Sequence, residues 1–499
     1  MRSLRGVLAI LLLPAALVTG ASAARAQSAP NQPAPPGQQV GPDQAQALTR
    51  QLRDWLRGMA GPQATIPDLR TTAEGDHYRL TLPIPALEGP DKDITAALRP
   101  LDAGRWQADT ITLPADTAFT AKMPPPKGAP GPATMHLHLT IAGQNSHATI
   151  DPAMTGDSSM VVNLNGVALD GDRDGRKQTQ RFDTFHQVLT LRPVAAGKLD
   201  LDEDSDAIGW KSAQELPNGR AMAIGAEQMT GSVRIVGLDR SQAATLGPVL
   251  GALASAPTPE RNERLRALVV ALHGLMTSLK FDETIQNMQI AVAGQGSATI
   301  DRVHLGFDTA APKGVAQTSL AASLDGVAVP GMAPTAGALA PRHVKLGLSL
   351  GGVSTEALSD LALAALTPGA NPRTLAPQIG ALFADPGKTG GPRFGIDTLG
   401  FDLGPAQIEG HGSIVAVSQN DMRATARVTV TGFDALADRI REDPQLQQIL
   451  PFLILARGMA RSEGSALIWD IVFTPSGLTV NGVNPGNLLA QPKRPKQRP

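Results

Sequence analysis

The chain has no cysteine among its 499 residues, which excludes disulfides, thiol nucleophiles, thiolate metal sites and iron–sulfur clusters together. Aromatic residues are scarce, with 11 Phe, 4 Trp and 1 Tyr making 3% of the sequence. Aliphatic side chains must therefore supply most of any core, and few rings are left to stack on sugars or bases. Net charge is missing too. With 44 Lys plus Arg against 45 Asp plus Glu the formal value is -1, so no global field steers the chain toward nucleic acid or an acidic partner. No apolar run reaches the roughly 20 residues that a spanning helix needs.

What is present begins with an address. Arg2 and Arg5 precede an apolar run from Gly6 to Val18, and the small-residue triplets Ala21-Ser22-Ala23 and Ala24-Arg25-Ala26 follow. A positive start, an apolar middle and a small-x-small end make a secretory signal, so residues 1–26 are expected to leave on export. No cysteine follows to carry a lipid. The expected location is the periplasm of a Gram-negative envelope, with secretion as the alternative. Residues 27–41 are Gln, Pro, Ala, Gly and Ser with almost no branched apolar side chain, a composition that reads as a flexible linker. Residues 486–499 form a basic, Pro-rich tail with Lys493, Arg494, Lys496 and Arg498. It reads first as a solvated end and second as a contact for an anionic surface.

Between these ends, short runs alternate apolar and polar residues and are bounded by Gly, Pro, Asn and Asp. His77–Ile84, Met135–Ile141, Met160–Leu164, Val233–Val236, Val344–Leu350, Ile408–Val417, Ala424–Thr431 and Leu467–Phe473 all show this period of two. It predicts half-buried antiparallel strands. Helical period is rarer. Asp43 starts a segment carrying Leu48, Leu52, Trp55, Leu56 and Met59. Thr258-Pro259 starts one carrying Leu265, Leu268, Val269, Leu272, Leu275 and Leu279, which should cover a sheet face. Asp443-Pro444 starts a third, with Leu446, Ile449, Leu450 and Leu453, interrupted or kinked at Pro451.

Two segments recur in order. Ile141–Asp151 is answered by Val292–Asp301, and Leu164–Gly171 by Leu324–Gly331. Ala-Gly-Gln-(Asn/Gly)-Ser between alternating runs predicts a hairpin turn with Asn or Gly at positive φ. The expectation is an α+β, mainly β fold: long antiparallel sheets from duplicated strand-turn-strand modules with a few packed amphipathic helices. The expected modules are a β-rich one over 42–256, a second, duplicated one with a helix over 257–390, and a β/α one over 391–485.

The last hundred residues carry a resemblance. Thr431-Gly432-Phe433-Asp434-Ala435-Leu436, then a helical stretch, then Trp469–Phe473 and Gly477–Gly482 resemble the C-terminal signature of exported alphaproteobacterial proteins of unknown function. They are more distantly similar to the ends of AsmA-like and YdgA-like envelope proteins. The resemblance implies long antiparallel sheets forming a curved groove in the cell envelope. The chain departs from AsmA-like proteins in lacking a clear anchor and in being far shorter than the bridge-like lipid carriers.

Chemistry-bearing motifs are few. Asp170-Gly171-Asp172-Arg173-Asp174-Gly175 matches the first half of a calcium-binding EF-hand loop, so Asp170, Asp172 and Asp174 are the calcium candidates. Arg181 stands at position twelve of that loop where a bidentate Glu belongs, and turn geometry is the preferred reading. His136 and His138 lie two apart on one strand face, with His147 beyond the expected turn, a spacing that a metal can use but that ordinary surface histidines also show. Neither Gly-x-Ser-x-Gly nor His-Glu-x-x-His occurs, and Gly412-Ser413 beside His411 and Gly352-Val353-Ser354 fit turns. Trp55 and Leu56 with Arg53 and Arg57 are the membrane-contact candidates, although docking on a sheet is the preferred role of their helix.

The composite reading is a noncatalytic periplasmic or cell-envelope protein that needs no cofactor. It binds lipid or another apolar ligand on a β-sheet groove, with a membrane surface or envelope proteins as partners and no nucleic acid. The alternatives are a periplasmic hydrolase of unknown substrate and a structural protein-interaction module.

Overall fold

Alternating side chains do set the architecture. Of the described residues 60% are strand and 22% helical, arranged as antiparallel sheet with a few helices. The computed structural model describes residues 40–60, 67–84, 87–88, 92–101, 104–123, 133–173, 176–195, 197–216, 218–255, 260–311, 314–330, 340–382, 391–418, 421–442, 444 and 446–485. The leader at 1–26, the linker up to residue 39, Asp174, the Thr258-Pro259 helix start and the tail at 486–499 lie outside them. Among the described residues no helix is long and apolar enough to cross a membrane.

The chain divides into two units, Met1–Ser297 and Ala298–Pro499. The boundary expected at 256/257 falls elsewhere because a strand over Ser278–Val292 pairs along the preceding strand of the first unit. That expected at 390/391 is crossed by a strand ladder inside the second unit.

The first unit begins with helix α1 (Pro42–Ala60) and runs through β1 (Arg70–Glu74), β2 (His77–Pro83), β3 (Leu87–Glu88), β4 (Asp93–Pro100), β5 (Trp106–Thr112) and β6 (Asp116–Met123). It continues with β7 (Ala133–Gln144), β8 (Ser146–Ile150), β9 (Ser158–Arg173), β10 (Arg176–Ala195), β11 (Lys198–Glu215) and β12 (Ala221–Asp239). Helices α2 (Arg240–Ser255) and α3 (Arg261–Leu272) then precede β13 (Ser278–Val292). Strands β1, β2, β4, β5 and β8 are successive neighbours, and β3, β6 and β7 make a second series. Both series meet β9, from whose other edge β10 to β13 follow as a meander.

Helix α1 buries Ala45, Leu48, Leu52, Trp55 and Leu56, the three-and-four spacing of one helical face. Tyr78 donates its hydroxyl to Gln44 Oε1 at 2.6 Å, and Arg53 donates to the Leu69 carbonyl at 3.1 Å. The membrane-contact reading is corrected here. Trp55 and Leu56 are 5% and 3% exposed, Arg53 is occupied by Leu69 and Asp68, and Arg57 pairs with Asp54 at 2.9 Å. A stripe of this width suits a sheet as well as a lipid layer, and the sheet fills it.

The repeat does not fold as a repeat. Asn145 joins β7 to β8 along one edge of β9, its N–H donating to the Asn163 carbonyl at 2.9 Å. No reversal occurs there, and Asn145 is not at positive φ. In the second copy Val292–Gln295 is a tight turn, with Gly294 at φ 74° and Gly296 at φ 106°. The difference is one of partners: the first copy has a strand available on both edges, so it stays extended, while glycines in the second permit reversal. The later echo shares only backbone conformation. Gly166 takes φ 58° in mid-strand against Ala142, whereas Gly326 takes φ 66° just past a strand end against Asp301.

The second unit contains β14 (Gly296–Ala310), β15 (Val315–Asp325), β16 (His343–Ser354), α4 (Thr355–Ala365), α5 (Pro372–Ala381), β17 (Arg393–Asp402), β18 (Gln407–Ser418) and β19 (Asp421–Thr431). After these come α6 (Phe433–Glu442), a 3-10 turn at Gln447–Ile449, α7 (Leu450–Met459), β20 (Arg461–Glu463), β21 (Ala466–Thr474) and β22 (Gly477–Val480). Neighbours run β14-β15-β16-β17-β18-β19-β21, and β20 and β22 share the far edge of β21.

Two expected helices change their limits. The segment expected to reach Leu279 stops at Leu272, because Gly274 at φ 72° reverses the chain, and Leu279 joins β13. Pro451 kinks nothing: it occupies the first turn of α7, where a missing N–H costs no bond. Helices α2, α4 and α5 were not anticipated. Asp239 caps the first, accepting from Ser241 and Gln242 N–H at 2.9 and 3.2 Å. Ser354, expected in a turn, caps the second, and Asn371 with Thr374 makes a capping box for the third.

One buried carboxylate organises the β8–β9 connection. Asp151 is fully buried and accepts from Ala153 N–H at 3.0 Å, Thr155 N–H at 2.8 Å, Thr155 hydroxyl at 3.0 Å and Gly156 N–H at 2.6 Å. Burial alone would raise its pKa, but these donors together hold it below the ordinary 3.8. The folded state thus favours the carboxylate, and its contribution is present above that ordinary value and lost as pH falls through the folded pKa. Asp151→Ala should cost about 2–4 kcal/mol by leaving buried donors unpaired. Urea unfolding at neutral pH checks this, and the gap between variant and wild type should narrow below pH ~3.

Candidate functional site

Strand register in the second unit sorts side chains onto two unlike faces. On one, Leu350, Phe394, Ile414, Ala424, Phe473 and Leu478 are successive cross-strand partners from β16 through β17, β18, β19 and β21 to β22. Next to this line Phe307, Leu320, Leu348 and Ile396 are likewise partners. Beyond those lie Val344, Phe401, Ile408, Val430 and Leu467. These lines are apolar, as a period of two allows, with Thr318 and Thr309 standing on the same face beside Leu350.

Cover on that face is uneven. At the Val430 end, α6 and α7 close over it, with Phe433, Trp469 and Val480 buried among Leu453, Ala456 and Met459. Trp469 donates its indole N–H to the Ala456 carbonyl at 2.8 Å. Leu436, Ile440 and Ala406 make a second buried cluster. At the other end the cover stops: Phe394, Ile414, Phe473 and Leu478 are each about 40% exposed. Six neighbouring strands at ~4.8 Å spacing make this line about 24 Å long.

The opposite face is polar. A hollow of about 600 Å³ is lined by Asp308, Gln317, Ser319, Ser349 and Arg393 of this face together with Thr318 and Leu350 of the other, with Gly351, Gly352 and Gly391 leaving the space. Ser349 donates to Asp397 at 2.9 Å, and among the described residues lining the hollow none is a histidine. Farther along, His411, Arg427 and Asp470 are cross-strand partners. Arg427 donates twice to Asp470, at 2.7 and 3.1 Å. That bidentate bond, joined by the charges of Arg427, Arg461 and His411, holds the Asp470 carboxyl below its ordinary 3.8. The arrangement is a surface ion pair and offers no nucleophile.

The calcium and histidine candidates meet in an unforeseen way. His136 and His138 on β7 stand directly opposite Asp172 and Asp170 on β9. Asp170 and Asp172 are therefore strand residues flanked on both edges, side by side on one face, and do not wrap an ion as a loop would. Asp174 lies outside the described residues. His138 is hydrogen-bonded to Asp116 at 2.6 Å, and His147 sits on β8, past the break at Asn145. Among the described residues no group of three or more His, Asp or Glu is placed to hold a metal. The pairing was hidden in the sequence because the 31 positions between His138 and Asp170 include another strand, β8.

In the first unit one acid faces the wrong way. Glu203 lies across from Leu189 and Val233 on the apolar face and accepts from Gln187 Nε2 at 2.7 Å. Gln187 is 1% exposed, and its Oε1 has no hydrogen-bond partner among the described residues. Burial pushes the Glu203 pKa above the ordinary 4.5, the bond from Gln187 opposing it and the Asp204 charge adding to it. Asp200, Asp202, Asp204 and Asp206 of the same strand, β11, share the opposite face, so Glu203 alone of these five acids is turned this way.

No known protein family matches the chain, and no curated protein or solved structure is significantly similar to it.

Because the folded pKa of Glu203 is raised, the folded state holds its proton more tightly than the unfolded one. Stability from this group is full below 4.5 and falls as pH rises through the folded pKa. Glu203→Gln keeps the Gln187 bond, adds a donor for Gln187 Oε1 and removes the charge. The substitution should raise Tm at pH 7 by ~2–4 °C and flatten the wild-type decline between pH ~4.5 and 8, as differential scanning calorimetry across that range would read.

Proposed function

We propose that the chain is a noncatalytic protein of the cell envelope, exported to the periplasm, that holds an acyl chain or a similar apolar ligand across the sheet of its second unit. One observation carries this reading: the half-exposed line from Leu350 to Leu478, whose length suits an extended long-chain acyl tail. Each methylene buried there contributes about 0.8 kcal/mol, so affinity accumulates without any polar constellation. The secretory pattern of residues 1–26 supports the location. So does the C-terminal resemblance to exported envelope proteins, whose course from strand through Gly432 and helix to a hairpin ending at Asn481-Gly482 this chain follows.

A hydrolase reading rests on the polar hollow of the opposite face. There Ser349 already donates its hydroxyl to the Asp397 carboxylate, and among the described residues lining the hollow no imidazole stands beside Ser349 or Ser319 to act as base. Native mass spectrometry of the purified protein should show copurified lipid, and a fluorescent fatty acid should bind with saturation. Phe394→Ser combined with Ile414→Ser should weaken that binding about tenfold, the loss of about 1.4 kcal/mol. Absence of both copurified lipid and uptake would overturn the proposal.

A further inference from the structure

Helix α7 turns apolar side chains outward as well as inward, and its one charged residue, Arg457, is paired with Asp434. Leu453, Ala456 and Met459 pack inward on the cluster around Trp469. Phe452 and Ile454 are 71% and 70% exposed, and Leu455 and Ile449 are 44% and 39% exposed. No charged residue occurs from Gln447 to Ala456. A surface helix of a globular protein normally turns a polar face outward, and one that does not is matched to an apolar medium.

We propose that α7 docks on an anionic bilayer, inserting Phe452, Ile454 and Leu455 at the level between headgroups and acyl chains. Two observations select this occupant over a second protein surface. The exposed side chains amount to roughly 400 Å² at the scale of such residues, about half of what each partner of a stable protein interface contributes. Charge is the second. Asn481, close to the end of the described chain, donates to the Met459 carbonyl at the end of α7 at 2.7 Å. Residues 486–499 follow shortly after with Lys493, Arg494, Lys496 and Arg498. A short apolar helix and a polybasic segment are two weak membrane signals that become effective together. The carboxylates of α6 do not oppose them, since Asp434 pairs with Arg457, Asp438 with Arg441 and Glu442 with Arg439.

The inference does not depend on the acyl-binding reading, and its test separates the two. The full chain should float with vesicles of phosphatidylethanolamine and phosphatidylglycerol in equal parts and much less with phosphatidylcholine alone. Phe452→Ser combined with Ile454→Ser should lower the bound fraction about tenfold while leaving Tm unchanged, because both positions are exposed. Replacing the four tail cations with Ser should abolish the preference for the anionic vesicles. Phe394→Ser with Ile414→Ser should float like the wild type. Failure of the wild type to float would overturn the proposal, as would undiminished flotation of the α7 variant. A dimer in sedimentation equilibrium that the α7 variant loses would assign the face to a second copy instead, and overturn it as well.

Discussion

A pleated strand sends alternate side chains to opposite faces, so every apolar residue placed by that alternation needs cover from outside the strand. The rest of this structure depends on where the cover comes from. In the first unit α1 turns Leu48, Leu52, Trp55 and Leu56 inward beside β1, and the strands bury Leu82, Leu98, Leu139, Leu164 and Leu189. In the second unit α6 and α7 cover one end of the sheet around Val430 and Trp469, and the line through Phe394 and Ile414 is left half-exposed. Scattered apolar surface is ordinary, whereas a contiguous apolar line across six strands is the observation on which the proposed acyl binding rests.

The polar groups of the interior divide by the same accounting. Asp151 is buried and carries its charge easily because backbone and hydroxyl donors converge on it within one short connection. Glu203 has one donor, Gln187, and an apolar surrounding, so its charged form is disfavoured. One carboxylate is a keystone of its loop and the other a standing cost to its sheet.

Much of the fold was legible in the residues. Seven of the eight alternating runs lie wholly in a strand and the eighth, His77–Ile84, overruns β2 by one residue, while the helix from Asp43 is the helix α1. Period-two and period-three-to-four patterns are local consequences of backbone geometry, so they survive without knowledge of partners. The caps at Asp239, Ser354 and Asn371 are equally local signals, each a side-chain acceptor standing just before a helical turn without an apolar stripe to mark it. The candidate site was much less legible. Nothing near Leu350 in the chain announces that Phe394, Ile414, Phe473 and Leu478 stand in line with it, because the line is perpendicular to the strands and its spacing depends on the length of every intervening connection.

The two Ala-Gly-Gln segments show the limit of local reading most clearly. Nearly identical in sequence, they are an extended crossing between β7 and β8 in one place and a reversal after β13 in the other. Similarly, Asp170 and His138 looked like parts of separate motifs and are cross-strand neighbours. The sequence by itself determined the strand-rich class, the faces of each strand and the first helix, since these follow from side-chain periodicity within one segment. Only the tertiary structure decided which strands are neighbours, which apolar face is covered and which is left open. Those outcomes depend on hydrogen bonds and contacts between residues far apart in the chain, whose partners no local pattern names.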